Sequence, residues 1–201
     1  MAEQSRWVEI TTRDPNHSNW YIERFRKMAA EGADLHGEAR FVDALVGRDA
    51  RILDAGCGPG RVGGELFRRG HRVVGVDVDP VLIAAAETDH PGPTWLVDDL
   101  AEFDLAARGI ADPFDAIVCA GNVMTFVAVS TRRDVLRRLG AHLAEDGRIA
   151  IGFGTGREYD VDEYRADVAA AGLTIDVELA TWDLRPFTAE SDFLVTLLRR
   201  A

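Results

Sequence analysis

Three glycines and a carboxylate follow an apolar strand in the segment ILDAGCGPG, residues 52–60. The strand ends at Asp54, and the turn after it contains Gly56, Gly58 and Gly60 before a helix opens. Glycine permits positive φ and lets the backbone approach a ligand with no Cβ in the way. The first βα turn of an open parallel sheet is a common place for such ligands. A tight turn alone requires neither three glycines nor a carboxylate, so we interpret the segment as a loop that binds a small ligand.

A dinucleotide is one ligand to consider. Residues 58–63 formally satisfy G-x-G-x-x-G, and Asp77 follows at nearly the spacing of about 20 residues expected for a ribose-binding acid. This register would place Asp54 inside the buried strand, where a lone carboxylate is costly. If the pattern begins at Gly56 instead, Arg61 replaces its third glycine. Neither register satisfies the dinucleotide pattern well.

The elements that must position this loop alternate along the chain. Predicted strands cover 51–55, 71–77, 94–98, 114–120, 147–153, 173–180 and 192–198, and predicted helices cover 61–69, 80–88, 131–144 and 161–171. Strands that alternate with helices indicate right-handed βαβ crossovers and a mainly parallel sheet. The last two strands have no helix between them, so the final one is expected to be antiparallel. The sequence predicts an α/β fold with a doubly wound, seven-stranded sheet and a C-terminal antiparallel strand.

Acidic residues also follow the next two predicted strands. The second strand ends in Asp77, and the third is followed by VDDL, residues 97–100. Together with D-x-G-x-G-x-G at 54–60 and FDAIVCAGNV at 114–123, these segments resemble the successive motifs of the class I, Rossmann-like S-adenosylmethionine-dependent methyltransferases. The resemblance covers residues 35–198, and four motifs in order at the proper spacing are a specific match.

The resemblance implies S-adenosylmethionine as the cofactor, whose sulfonium and amino groups suit a site with carboxylates and no phosphate clamp. It implies that Asp77 binds the ribose hydroxyls, that Asp99 or its neighbour Asp98 binds the adenine amino group, and that Asp54 lies near the methionine amino group. Arg61 is expected to face solvent. The cofactor-binding residues implied are Asp54, Gly56, Cys57, Gly58, Gly60, Asp77, Val78, Asp98, Asp99, Leu100, Ala120, Gly121 and Asn122.

Charge and cysteine content narrow the expected binding partners and the expected cellular compartment. The 201 residues carry a formal net charge of −11, and no segment is basic. Nucleic acids and anionic membranes are bound by neutralising phosphates, so neither is an expected partner. Two cysteines cannot form a disulfide framework, and neither a secretion signal nor an apolar run of about 20 residues is present. We expect one cytoplasmic domain over 1–201, with its oligomeric state left open.

The sequence assigns no catalytic residue. Methyl transfer is an in-line displacement at an activated carbon, so alignment supplies much of the rate, and a base is needed only for an acceptor that starts protonated. The N-P-P-[YF] stretch of adenine- and glutamine-directed methyltransferases is absent after the fourth strand. Cys119 has no neighbouring proline of the kind that cytosine-directed families show, and we expect a buried, inert thiol. The histidines have no metal-ligand spacing, so no metal is expected.

Candidate acceptor residues lie at the ends and in loops. Residues 17–47 read as two helices that could cover the cofactor site, and Arg24 or Lys27 could pair with the cofactor carboxylate, although a solvated helix face is an equal interpretation. The loop at 181–187 could line an acceptor pocket or simply pack the terminal hairpin. The candidates are Trp20, Tyr21, Arg24, Asn122, Trp182 and Arg185.

The favoured hypothesis is methyl transfer from S-adenosylmethionine to a small-molecule acceptor, mainly through positioning. Little sequence separates the sheet elements, so we expect no dedicated domain for a macromolecular substrate. Two alternatives stay open at this point. One is a nicotinamide-dependent oxidoreductase with the same fold, and the other is a protein that binds S-adenosylmethionine without turnover.

Overall fold

The computed structural model describes residues 3–201 and contains a seven-stranded sheet flanked by helices. The strands are β1 (Arg51–Ala55), β2 (Arg72–Asp77), β3 (Thr94–Val97), β4 (Phe114–Cys119), β5 (Leu143–Gly154), β6 (Leu173–Leu179) and β7 (Phe193–Arg200). The α-helices are α1 (Arg6–Arg13), α2 (His17–Ala30), α3 (Gly37–Asp43), α4 (Arg61–Arg68), α5 (Pro80–Asp89), α6 (Val123–Phe126), α7 (Arg132–His142) and α8 (Val161–Ala170).

The strands lie in the order β3-β2-β1-β4-β5-β7-β6. All pairs from β3 to β5 are parallel, and β7 runs antiparallel to both of its neighbours. The chain order reverses at β1, which lies between β2 and β4, so the loops that follow β1 and β4 diverge and leave a crevice at the carboxyl ends of the strands. The predicted seven-stranded sheet with its antiparallel C-terminal strand is confirmed.

Apolar clusters cover both faces of the sheet. Successive side chains of a strand point to opposite faces, and in β1 Leu53 joins one buried cluster while Ile52 joins the other. In β4, Ile117 and Val118 divide in the same way. Parallel strands buried on both faces leave their ends as the place for polar ligand-binding groups.

The boundary between α7 and β5 differs from the prediction. The helix expected over 131–144 ends at His142, and β5 begins at Leu143 rather than at residue 147. Leu143 is extended, with φ −80° and ψ 140°, and pairs with Phe114 of β4. A buried leucine at this position fits the apolar spacing of a helix and also fits a buried strand. The local sequence pattern therefore could not show where the helix ends and the strand begins.

The N-terminal region contains the two predicted helices, now α2 and α3, and also α1, which the sequence analysis did not predict. The N-cap of α1 is Ser5, whose hydroxyl accepts a 3.4 Å hydrogen bond from the amide of Val8. No residue of α1 is buried, and its amphipathic pattern places Trp7 against Tyr21 of α2. Within residues 3–201, no helix combines the length and the apolar character that a bilayer crossing requires.

Candidate functional site

A cavity of about 690 Å³ lies at the carboxyl ends of the central strands, within the range of small-molecule sites. Segments after β1 to β6 border it, and α1 and α2 form its N-terminal wall. The predicted site residues that line it are Gly56, Gly58, Asp77, Val78, Asp99, Leu100, Ala120, Gly121, Asn122, Trp20, Tyr21, Arg24 and Trp182. The predicted site residues that do not line it are Asp54, Cys57, Gly60, Asp98 and Arg185.

The three glycines of the first loop are required for different reasons. All have positive φ, 76° at Gly56, 54° at Gly58 and 82° at Gly60, a region that L side chains rarely adopt. A Cβ on Gly56 would lie 2.4 Å from Val123 Cγ2, and one on Gly60 would lie 2.9 Å from a side chain of α5. In front of Gly58 the nearest atom is Tyr21 Cε1, at 3.8 Å from the Cβ position. Gly58 is therefore where the loop backbone can meet a ligand, whereas Gly60 allows close packing.

Cys57 does not contact the cavity, contrary to the implied set. Its side chain packs with Ile83, Ala86 and Trp95 on the other side of the loop. Burial raises the pKa of this thiol well above its ordinary value. Cys57 contributes its main chain to the loop, where its amide donates to the Val76 carbonyl at 3.0 Å.

Asp77 combines burial with access to the cavity. Its Oδ2 accepts a hydrogen bond from the amide of Gly58 at 2.8 Å, and its Oδ1 accepts one from the amide of Asp79 at 3.0 Å. Burial raises the pKa of Asp77 to about 6, although both amides favour the charged form. A carboxylate has roughly four lone-pair sites. Two are therefore left for hydroxyl donors of a ligand.

Asp54 lies beneath the loop and does not reach the cavity. Its Oδ2 accepts a 2.8 Å hydrogen bond from the amide of Gly63, in the first turn of α4, and burial raises its pKa to about 7. The expectation that Asp54 faces the ligand near the methionine amino group is therefore corrected: its carboxylate holds the N-terminus of α4. The expectation that no carboxylate would lie inside the buried strand is also corrected: Asp54 is 2% exposed within β1, and the helix amide offsets part of the burial cost.

The adjacent carboxylates after β3 have different surroundings. Asp99 lines the cavity, and its Oδ1 accepts from the amide of Ala101 at 2.9 Å. Asp98 turns away and pairs with Arg108 at 2.9 Å. Of the two aspartates that the sequence left as alternatives, Asp99 therefore faces the cavity, and Asp98 anchors the loop that follows.

The turn after β4 is held in a left-handed conformation. Gly121 has φ 73° and Asn122 has φ 68°, and asparagine is among the side chains that tolerate this region. The Oδ1 of Asn122 accepts a 2.7 Å hydrogen bond from the amide of Gly154. This bond joins the turn to the end of β5 and leaves the Nδ2 group of Asn122 available to a ligand.

Tyr21 of α2 bridges the two ligand-facing turns. Its ring lies 3.8 Å from the Cβ position of Gly58, and its hydroxyl lies 4.0 Å from that of Gly121. Burial raises the pKa of Tyr21, and the nearby Asp77 also raises it. The phenol is therefore a neutral hydrogen-bonding group at neutral pH.

Arg24 lies one turn further along α2, on the cavity side of the helix. Its guanidinium carbon is 5.9 Å from the Trp20 ring and 5.9 Å from the Phe25 ring. Trp20 stands at the rim and is 53% exposed. Lys27 lies outside the cavity and pairs with Glu31 at 3.8 Å. Of the two basic candidates on this helix, Arg24 faces the site.

Arg61 lines the cavity, whereas the sequence analysis expected it to face solvent. It forms a two-pronged pair with Glu38 at 2.6 and 2.9 Å and also donates to the Leu35 carbonyl. Its guanidinium carbon lies 5.4 Å from the Phe25 ring. Arg61 therefore ties the loop helix α4 to the N-terminal helices. A contact between segments so distant in sequence had no local signal.

The remaining acceptor candidates, Trp182 and Arg185, belong to the loop at 181–187 and have different surroundings. The Trp182 indole covers Gly152, where a Cβ would lie 2.4 Å from Cζ2, and meets Phe41 edge to face at 5.4 Å between ring centres. Arg185 lies outside the cavity, is 76% exposed at its side chain and pairs with Asp183 at 3.5 Å. Trp182 remains an acceptor candidate, and Arg185 does not.

Part of the wall was missed by sequence reasoning. Trp7 meets Tyr21 and Phe126 edge to face, with ring centres 5.3 and 5.7 Å apart. Lining residues that were not among the candidates from the sequence include Trp7, Phe126, Arg157, Asp192 and Phe193. These residues lie in α1, in α6, after β5, after β6 and at the start of β7, and only the folded chain brings them together.

No cluster of three or more potential metal ligands occurs among residues 3–201. Cys119 is fully buried, and burial raises the pKa of its thiol. It ends an apolar strand and does not line the cavity.

The lining chemistry fits S-adenosylmethionine. Asp77 and Asp99 offer carboxylate oxygens to hydroxyl and amino donors, and Leu100 and Val78 offer apolar contact beside them. Gly58 leaves the space that a Cβ would fill. Arg24 offers a guanidinium to a carboxylate at the same end.

Comparison with known proteins supports the same assignment. Residues 52–147 match a family model described as a methyltransferase domain. A crystal structure of a TehB-like SAM-dependent methyltransferase from Corynebacterium glutamicum is 42% identical, covers 94% of this chain and all of that chain, and superposes with a TM-score of 0.89. The structure of ChlM from Synechocystis with bound SAM, at 17% identity over all of this chain and 87% of that chain, has the same fold with a TM-score of 0.63.

Among curated proteins, the magnesium-protoporphyrin O-methyltransferase of Rhodobacter capsulatus is 32% identical over 67% of this chain and 57% of its own length. The chain thus spans little more than half the length of the curated relatives it matches. The Corynebacterium structure nevertheless matches almost the whole of this chain, and this chain covers all of that structure. The family likeness therefore extends beyond the segment that contains the glycine loop. The chain belongs to the class I S-adenosylmethionine-dependent methyltransferases, whose cofactor is S-adenosylmethionine.

Proposed function

We propose that the protein transfers the methyl group of S-adenosylmethionine to a small-molecule acceptor. The observation that carries this proposal is the extent of the cavity. It begins at Asp77 and Asp99, passes the turn at Asn122 and continues to Trp182 and Phe193. A cofactor held at the first end leaves space at the second for another ligand.

The residues at the first end position the cofactor. Asp77 accepts the two ribose hydroxyls through the oxygen sites that its backbone partners leave free. Asp99 accepts the adenine amino group, and the backbone at Gly58 lies against the amino-acid portion. Arg24 receives the cofactor carboxylate, and Tyr21 closes this end by spanning the two turns.

When bound, the cofactor supplies a methyl group activated by the neighbouring sulfonium charge. The chain's task is to align an acceptor with that carbon and to exclude water. The aromatic wall of Trp7, Tyr21 and Phe126 provides the exclusion, and Asn122 offers its amide nitrogen at the boundary between the two ends. No side chain is assigned as a general base.

Calorimetry on the whole chain tests the cofactor half of the proposal. S-adenosylhomocysteine is expected to bind, and nicotinamide dinucleotides are not. Binding of a dinucleotide alone would favour the oxidoreductase alternative. Asp77→Ala is expected to weaken S-adenosylhomocysteine binding by roughly 1–3 kcal/mol, the range for losing hydrogen bonds to a charged group. An unchanged affinity would refute the role given to Asp77.

Transfer itself is tested with methyl-labelled S-adenosylmethionine and a broad extract of cell metabolites. Labelled products of low molecular mass are expected, and they should vanish when Asp77→Ala replaces the wild type at limiting cofactor. If S-adenosylhomocysteine binds but no product forms, the non-turnover binding protein becomes the better interpretation. If the label enters only nucleic acid or protein, the small-molecule acceptor is wrong.

A further inference from the structure

Two arginines in the cavity lack the partners that other arginines of this protein have. Most arginine side chains hold a carboxylate or a backbone carbonyl, as Arg61 does with Glu38 and Arg138 does with two carbonyls. Within residues 3–201, the guanidinium groups of Arg24 and Arg157 have neither. Acidic residues outnumber basic ones by 34 to 23 in the chain. Both side chains are exposed, so what distinguishes them is their place at the cavity wall, where an unpaired guanidinium is available to an anionic ligand group.

The two arginines lie at different ends of the cavity. Arg24 shares the Phe25 ring with Arg61, beside the glycine loop. Arg157 follows β5, where the Cβ position of Gly154 lies 3.4 Å from its Nε. In the sheet order, β5 lies on the far side of β4 from the strands that carry Asp77 and Asp99. Arg24 is thus placed for the cofactor carboxylate, and Arg157 is left for a second ligand.

The surroundings of Arg157 are largely apolar. Phe126, Val127, Trp182 and Phe193 line the same end of the cavity. Asp192 is the acidic residue on this side; it is exposed and forms no ion pair with Arg157 within 4.0 Å. On its other side Arg157 borders a smaller pocket with Arg6 and Glu158, which pair with each other at 2.7 Å. An exposed, unpaired cation at the edge of an apolar wall suits a ligand with an apolar body and a single anionic group.

We infer that the methyl acceptor is a small organic anion whose carboxylate or phosphate group binds Arg157 and whose apolar body packs against Phe126, Trp182 and Phe193. This inference rests on the proposed function, because the second ligand of the cavity is taken to be the acceptor. An arginine fork binds carboxylate and phosphate oxygens in the same way, so the two anions are distinguished by experiment.

The test measures binding of charge-matched probes to the complex with S-adenosylhomocysteine. Benzoate, phenyl phosphate and neutral benzamide are titrated by calorimetry, with tryptophan fluorescence as a second readout because Trp182 lines the site. At least one anion is expected to bind about tenfold more tightly than benzamide, the effect of a charge-assisted hydrogen bond. The stronger of the two anions identifies the preferred acceptor group.

Arg157→Gln is expected to remove this preference, and Arg185→Gln, a change of the same type outside the cavity, is expected to keep it. Equal binding of benzamide and both anions, no binding of any probe, or an unchanged preference in Arg157→Gln would overturn the inference. Binding of S-adenosylhomocysteine is measured first in the same titrations. Its failure would contradict the proposed function, whereas its success without an anion preference would contradict only the assignment of Arg157.

Discussion

The indole nitrogen of Trp7 donates a 2.8 Å hydrogen bond to Oδ2 of Asp79, across 72 positions of the chain. The hydroxyl of Ser18 donates to the same oxygen at 2.5 Å. The other carboxylate oxygen caps α5 by accepting from the amide of Val81 at 2.8 Å. One buried aspartate, two residues beyond Asp77, therefore fastens α1 and α2 over the cofactor end of the cavity.

Asp79→Ala is expected to lower the free energy of unfolding by about 2–4 kcal/mol, because it removes a helix cap and leaves the buried Ser18 hydroxyl and the half-buried Trp7 indole without an acceptor. Trp7→Phe keeps the aromatic contacts and removes one hydrogen bond, so its cost should be about 1 kcal/mol. Denaturant unfolding measures both. Hydrogen exchange of α1 and α2 should accelerate in Asp79→Ala more than that of the central strands. Uniform acceleration across the chain would contradict a local fastening role.

Variants of the neighbouring residues Asp99 and Asp98 provide a matched comparison of cofactor binding. Asp99→Ala is expected to weaken S-adenosylhomocysteine binding by about 1–2 kcal/mol, because an adenine amino donor loses its acceptor. Asp98→Asn breaks the charge pair with Arg108 outside the cavity, keeps an oxygen that accepts from the amide of Asp99, and should leave that affinity unchanged. Calorimetry of the two variants checks the assignment. The reverse order of effects would transfer the adenine contact to Asp98.

The raised pKa of Asp54 predicts that the free energy of unfolding depends on pH. Burial raises its pKa to about 7, above the unfolded value of about 4, so the native state holds the proton more tightly than the unfolded chain. The contribution of this group to stability is complete below about pH 4 and is lost as the pH rises through 7. Relative to Asp54→Asn, the wild type should lose about 3 kcal/mol of unfolding free energy between pH 5 and pH 8.

Denaturant unfolding of both proteins across this pH range gives the difference directly. The shared titrations of the other groups cancel in the comparison. A wild-type-minus-variant difference that is flat between pH 5 and pH 8, or that grows with pH, would mean that Asp54 is not the group that titrates.

Substitutions at Gly152 and Trp182 should have non-additive effects on the free energy of unfolding. Gly152→Ala places a methyl group 2.4 Å from the indole, so the indole must move, and overpacking of this kind costs about 1–3 kcal/mol. In the Trp182→Ala background the same change should cost much less. A double-mutant cycle on unfolding free energies measures the coupling. Additive effects would place Trp182 away from Gly152, and S-adenosylhomocysteine affinity serves as the control that the cofactor end is intact.

The sequence by itself determined the sheet, its antiparallel last strand and most of the residues that line the Asp77 end of the cavity. These depend on local signals: alternation of strands and helices, glycines that must take positive φ, and acids placed just after strands such as Asp77. Each signal lies within a few residues of the element that it specifies, so one strand and its turn are enough to read it.

The tertiary structure decided the details that depend on distant partners. It turned Asp99 toward the cavity and Asp98 toward Arg108, buried Asp54 under α4, and drew Arg61 to Glu38. Neighbouring or similar residues have the same local pattern, and only the packing of other segments determines which oxygen or guanidinium faces the ligand. For the same reason Arg157 gave no sequence signal: its place in the cavity wall depends on residues far away in the chain.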